Sequence, residues 1–163
     1  MNFDVTVVEL VLSPEMQRTG PRSISVRMDL PAGTNEDSSA ELETRPIAQR
    51  GAFPLRYDYS HTLSFTPGTP ECDALLRALD GSREASDIYF VVCDGATGKS
   101  LGEASVCLQA LERSGNEQVA TTSLAVNDVN ACNIGRLRVC LSLLYGCAPR
   151  ATILRPTCCV RSL

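Results

Sequence analysis

The sequence has no tryptophan and one histidine, and only 5% of its residues are aromatic. With His61 alone, any Ser-His-Asp or Cys-His site would have to use that residue. His61 alternates in phase with Tyr59 and Leu63, so it reads as a packed core side chain instead of a base. Cys-x-x-Cys pairs are missing too, and one histidine cannot complete the usual mixed zinc sets. No apolar run approaches the roughly 18 residues a membrane-spanning helix needs. The Met-Asn-Phe-Asp-Val start carries an acid where a signal peptide would carry bases, so a soluble, non-secreted chain is expected. Basic charge is in deficit: 15 Lys and Arg stand against 19 Asp and Glu, a net of -4, which argues against nucleic-acid binding. No cofactor and no catalytic activity are expected.

What is present is a period of two. Ile24, Val26, Met28 and Leu30 alternate with polar residues; so do Leu55, Tyr57, Tyr59, His61, Leu63 and Phe65, and so do Leu137, Val139, Leu141 and Leu143. Each run reads as a strand with one face in a core and one in water, the pattern of antiparallel sheets. Strands are predicted at 3–12, 22–30, 42–48, 54–65, 86–93, 101–108, 118–126 and 134–145. Alternation fails at Val7-Val8, which predicts a bulge or burial of both faces. Between the fourth and fifth strands Thr69 can cap a helix that opens on Pro70, carries Glu71 and Asp73 in its first turn and ends near Gly81. Its apolar stripe is Cys72, Leu75, Leu76 and Leu79. A short turn can run from Leu108 to Arg113. The fold class is therefore all-β: an eight-stranded antiparallel β-sandwich with one short helix. The chain, 163 residues in all, divides into a sandwich over 1–147 and a segment, 148–163, that is a tail or an extra edge strand.

Cysteine is plentiful, with eight residues. Cys93, Cys107 and Cys140 fall in strand-like runs, where a reduced thiol packs as a small hydrophobe. Cys158 and Cys159 read as ordinary thiols, with lipidation the alternative. Gly95-Ala-Thr-Gly98-Lys99-Ser100 resembles a phosphate-binding loop, but Cys93 stands where that pattern needs glycine and a strand follows, so a hairpin turn is expected. Arg45, Arg50 and Arg56 cluster around the third and fourth predicted strands and are the candidate binding residues, toward acidic lipid or an acidic partner. Glu41, Glu43 and Asp58 are interspersed among them, so the face also reads as a mixed solvated one.

Ile88-Tyr-Phe-Val-Val-Cys-Asp94 followed by Leu101-Gly102-Glu-Ala104 resembles the C2 family: a hydrophobic strand, an acidic loop, then an aliphatic-Gly pair opening the next strand. Val5-Thr-Val-Val-Glu-Leu10, Ser23-Ile-Ser-Val26, Glu43-Thr-Arg-Pro46, Leu55-Arg-Tyr-Asp-Tyr-Ser60 and Ile134-Gly-Arg-Leu-Arg-Val139 are similar to the RPGR-interacting C2 domains that end RPGR-interacting protein 1 and its paralogue, protein fantom. That resemblance implies a cytoplasmic, cytoskeleton-associated scaffold protein of the ciliary basal body or transition zone, whose partner is another protein. The alternative it leaves open is a membrane-surface domain. Calcium wants six to eight oxygens. The 93–101 loop offers only Asp94, and the 29–43 loop offers Glu36 and Asp37, so calcium-independence is expected and no metal site is assigned. Self-association through an edge strand or the tail is a further expectation.

Overall fold

The computed structural model describes residues 2–30, 42–49, 53–80, 87–108 and 120–144. The alternating runs become β1 (Asn2–Leu12), β2 (Ser23–Asp29), β3 (Ile47–Ala48), β4 (Leu55–Ser64), β5 (Asp87–Asp94), β6 (Ser100–Cys107), β7 (Ala120–Asn127) and β8 (Asn133–Leu144). Among the described residues two helices join them, α1 (Pro14–Thr19) and α2 (Pro70–Asp80). The strand order is β3-β2-β5-β6-β7-β8-β1-β4, and each pairing is antiparallel. Between β6 and β7 the ladder thins to one pair, Glu103 with Asn127. The sheet folds over at that seam, and the inward rows of the two layers meet: Val5, Val7, Leu10, Leu137 and Val139 from one, Ile24, Val26, Ile88, Phe90 and Val92 from the other, all fully buried. Tyr57 on β4 fastens the layers together by donating its hydroxyl to the Ile24 carbonyl of β2 at 3.0 Å.

The break at Val7-Val8 is a bulge, as expected. From the Val7 row to the Glu9 row, β8 advances from 139 to 138, β1 from 7 to 9 and β4 from 59 to 56. The extra residues lie increasingly toward β4 and bend the layer. Asp58 absorbs the strain with φ 44, in the left-handed region that Asp enters more readily than most residues.

Three expectations need correction. The strand predicted over 42–48 is reduced to Ile47–Ala48 and an isolated Arg27–Glu43 bridge. Pro46 has no N–H for a ladder. The segment instead grips β2 through Thr44, whose hydroxyl accepts from Val26 N at 2.9 Å while its own N–H donates to Val26 O at 2.9 Å. Second, Pro14 opens a helix: Ser13 Oγ accepts from Met16 N at 3.2 Å, Glu15 lies in the first turn and Arg18 in the last. Third, among the described side chains the stripe of α2 is Cys72, Leu75 and Ala78, with Leu76 41% exposed, while the Leu79 side chain lies outside them. Leu76 stands about 100° round the axis from Leu75. Thr69 caps this helix as the sequence implied, accepting from Cys72 N at 3.3 Å. Gly81, the 109–113 turn, Arg50 and the 148–163 segment lie outside the described residues.

Burial of the Tyr57 phenol pushes its pKa above the ordinary tyrosine value. A raised acid favours the folded state below its unfolded pKa of about 10 and loses that contribution as pH rises above it. Urea midpoints are therefore expected to fall from pH 9 upward more steeply for the parent than for Tyr57→Phe. Parallel curves would contradict the burial.

Candidate interaction surfaces

The hairpin from Asp94 to Lys99 and the links at 13–22 and 128–132 lie at one end of the sandwich, since Ile24 pairs with Asp94 and Gly95 N donates to Ser23 O at 2.9 Å. The stretch resembling a phosphate-binding loop is a hairpin turn: Gly98, at φ 71, donates to Asp94 O at 2.7 Å. The Asp94 carboxylate accepts from Ala96 N at 2.9 Å and from the Thr97 hydroxyl at 2.8 Å. Those bonds, the Ala96 N–H first, hold its pKa below the usual carboxylate value. Asp128 Oδ1 likewise accepts from Asn130 N and Cys132 N, both at 2.8 Å. Each aspartate is turned back on its own loop.

Among the described residues no group of three His, Cys, Asp or Glu is placed to hold a metal ion. Asp29 pairs with Tyr89, so the 29–43 segment leaves β2 at the end opposite the Asp94 hairpin. Its acids, Glu36 and Asp37, lie outside the described residues. No helix among the described residues is long and apolar enough to cross a membrane.

His61 keeps the inward phase expected for it but is only half-buried, with Tyr57, Tyr59 and Leu63. β4 ends the strand order, so its inward row lines the rim of the core. Five cysteines are described, none of them in a disulfide: Cys72 and Cys93 buried, Cys107 and Cys140 half-buried, Cys132 exposed. Burial raises the pKa of Cys93, partly countered by the nearby Arg27 guanidinium. On this outer face of β2, Ser25 donates to Glu43 Oε1 at 2.7 Å and Arg27 pairs with Asp29 at 3.1 Å.

The candidate arginines separate. Arg45 is exposed between the Arg27–Glu43 bridge and β3, at the edge of one layer. Arg56 is exposed on β4, in the other layer, directly across from Glu9 of β1. On the far side of Glu9 stands Arg138 of β8, which pairs with it at 3.4 Å, and Arg136 lies across from Val11. The outer face of β8-β1-β4 therefore gathers Arg56, Arg136 and Arg138. Sequence reasoning saw the last two as the polar phase of a strand, but nothing in the sequence order says that β1 sits between β8 and β4.

No family model and no curated protein matches the sequence. The structure is similar to solved ones. A C2 domain-containing protein superposes with TM-score 0.63 at 12% identity, over 92% of this chain and 93% of that one. CC2D1B, a protein described as coordinating ESCRT-III activity during mitotic reformation of the nuclear envelope, gives 0.63 at 15%, over 87% of this chain and 54% of that one. A C2 domain of plant Extended Synaptotagmin 1 gives 0.55 at 14%, over 88% and 96%. At such identities the likeness establishes the fold alone, and the fold is that of C2 domains.

Proposed function

We propose that this C2 fold is a non-catalytic binding domain that acts without calcium and contacts another protein, in the setting of a ciliary basal-body or transition-zone scaffold. One observation carries the calcium-independent part: the carboxylates Asp94 and Asp128 at the hairpin end are spent on their own loop N–H and hydroxyl groups. A calcium ion there would have to break those bonds and would still lack most of its oxygens. The ciliary setting is supported by the order of short matches to the RPGR-interacting C2 domains. Calorimetric titration is expected to give no calcium dissociation constant of about 10 µM or tighter. One in that range overturns the calcium-independent reading.

The membrane-surface alternative rests on the exposed arginines. Anionic vesicles at low salt test it, because attraction between exposed charges is strongest there. No co-flotation is expected; salt-sensitive flotation would favour the membrane. The setting is tested by fusing the chain to a proximity-labelling enzyme in ciliated cells. Enrichment of basal-body proteins is expected, and uniform cytosolic labelling would sink it.

A further inference from the structure

We infer that the outer face of β8-β1-β4 around Arg56, Arg136 and Arg138 docks an extended acidic segment of a partner protein. This rests on the protein-binding reading and adds the surface and the partner's chemistry.

Across most of this face the polar side chains satisfy one another. Thr6 and Ser60 share a hydrogen bond, Thr62 donates to Asp4 Oδ1 at 2.6 Å, and Thr121 meets Cys140 Sγ at 3.0 Å. The arginine end differs. Among the described residues Glu9, with 17% side-chain exposure, engages Arg138 alone. Arg56 and Arg136 are exposed and form no ion pair among the described residues. Two unpaired guanidiniums and one shared one thus stand together in a chain whose net charge is -4. Beside them Val11 is 44% exposed, an apolar spot in register with Arg136.

Spacing and charge both favour a narrow acidic strand. Arg136 and Arg138 are two residues apart on one strand, about 7 Å, which is also the spacing of side chains on one face of an extended peptide. Arg56 lies two strands from Arg138, about 10 Å away. Guanidinium forks suit carboxylates at such positions. A flat anionic bilayer laid on this face would also meet Asp4, Glu9 and the exposed Asp58, which repel it. A peptide crossing only the arginine end avoids Asp4.

The test uses the full chain and a fluorescein-labelled peptide in which glutamate alternates with valine, followed by anisotropy at low salt. A lysine-valine counterpart is the control. The glutamate peptide is expected to bind and the lysine one not. Arg56→Gln and Arg136→Gln should each weaken binding by up to about five-fold, as lost exposed ion pairs do. Glu9→Gln should strengthen it several-fold by removing the competing carboxylate. Equal affinity in the parent and the Arg56→Gln/Arg136→Gln variant overturns the inference. So does the loss of phosphatidylserine-vesicle binding in that variant without any loss of peptide binding. If the parent and the variant label the same basal-body proteins equally, the face is wrong and the broader reading stands. If the parent labels none there, the setting falls while the peptide titration still judges the face.

Discussion

Replacing Phe90 by alanine is expected to lower the unfolding free energy by about 3–5 kcal/mol, the range for a large aromatic removed from a closed core. Phe90 has no exposed surface. It occupies the middle of β5, with Met28 of β2 across from it on one side and Ala104 of β6 on the other. Ala104 is the small neighbour that makes room for the ring, and its methyl group cannot refill the space. Domains of this size are stable by about 5–15 kcal/mol in total, so the variant approaches the unfolding threshold. The adjacent Tyr89 points outward and is 37% exposed, and Tyr89→Ala should cost about 0.5 kcal/mol. Urea unfolding followed by far-ultraviolet circular dichroism measures both, since no tryptophan is available as a probe. A one-residue slip of β5 would exchange the two effects. Equal losses, or a larger one at Tyr89, would refute the register.

Valine at Gly135 is expected to cost about 2–3 kcal/mol, at the upper part of the range for overpacking. A Cβ there would stand 2.5 Å from Val11 O and 3.2 Å from Leu12 Cα. Both contacts are backbone in the β1-β8 ladder, where Leu12 pairs with Gly135 and Val11 with Arg136. No side-chain rotation can relieve them, so the two strands must separate. Amide exchange along β1 should accelerate together with the loss of stability. Gly98→Val is the contrast: its Cβ meets nothing within 4 Å, and its cost comes from φ 71 alone. Its damage should stay within the Asp94–Lys99 turn. Unchanged β1 exchange in Gly135→Val would show that the two strands are not as close as described.

The strands were legible because their period is itself the burial pattern: Leu137, Val139 and Leu141 turn inward in the structure as they alternate in the sequence. The Val7 bulge showed as a fault in that period. α1 was missed because six residues are too few to display a helical period, although Ser13-Pro14-Glu15 already carried its cap signals. The 42–48 segment reads as a strand by propensity, but Pro46 confines it to a bridge and two residues. Of the surface, Arg56 was found, while Arg136 and Arg138 were seen without being placed beside it. Their meeting depends on which strands become neighbours, a tertiary outcome that no local window records. The second turned-back carboxylate, Asp128, was missed for a related reason: its acceptor role appears only once the 128–132 link closes.

One feature of the topology governs how the chain is made. β1 lies between β4 and β8, and Asn2 pairs with both Ser64 and Leu144. During synthesis the first strand leaves the ribosome long before the last, and a layer centred on β1 cannot close until β8 has emerged. Until then β1 offers an open strand edge to anything nearby. Pairings between such distant positions also slow folding, and the arrival of β4 covers only one edge of β1, so the edge facing β8 stays open to a neighbouring polypeptide until the last strand docks.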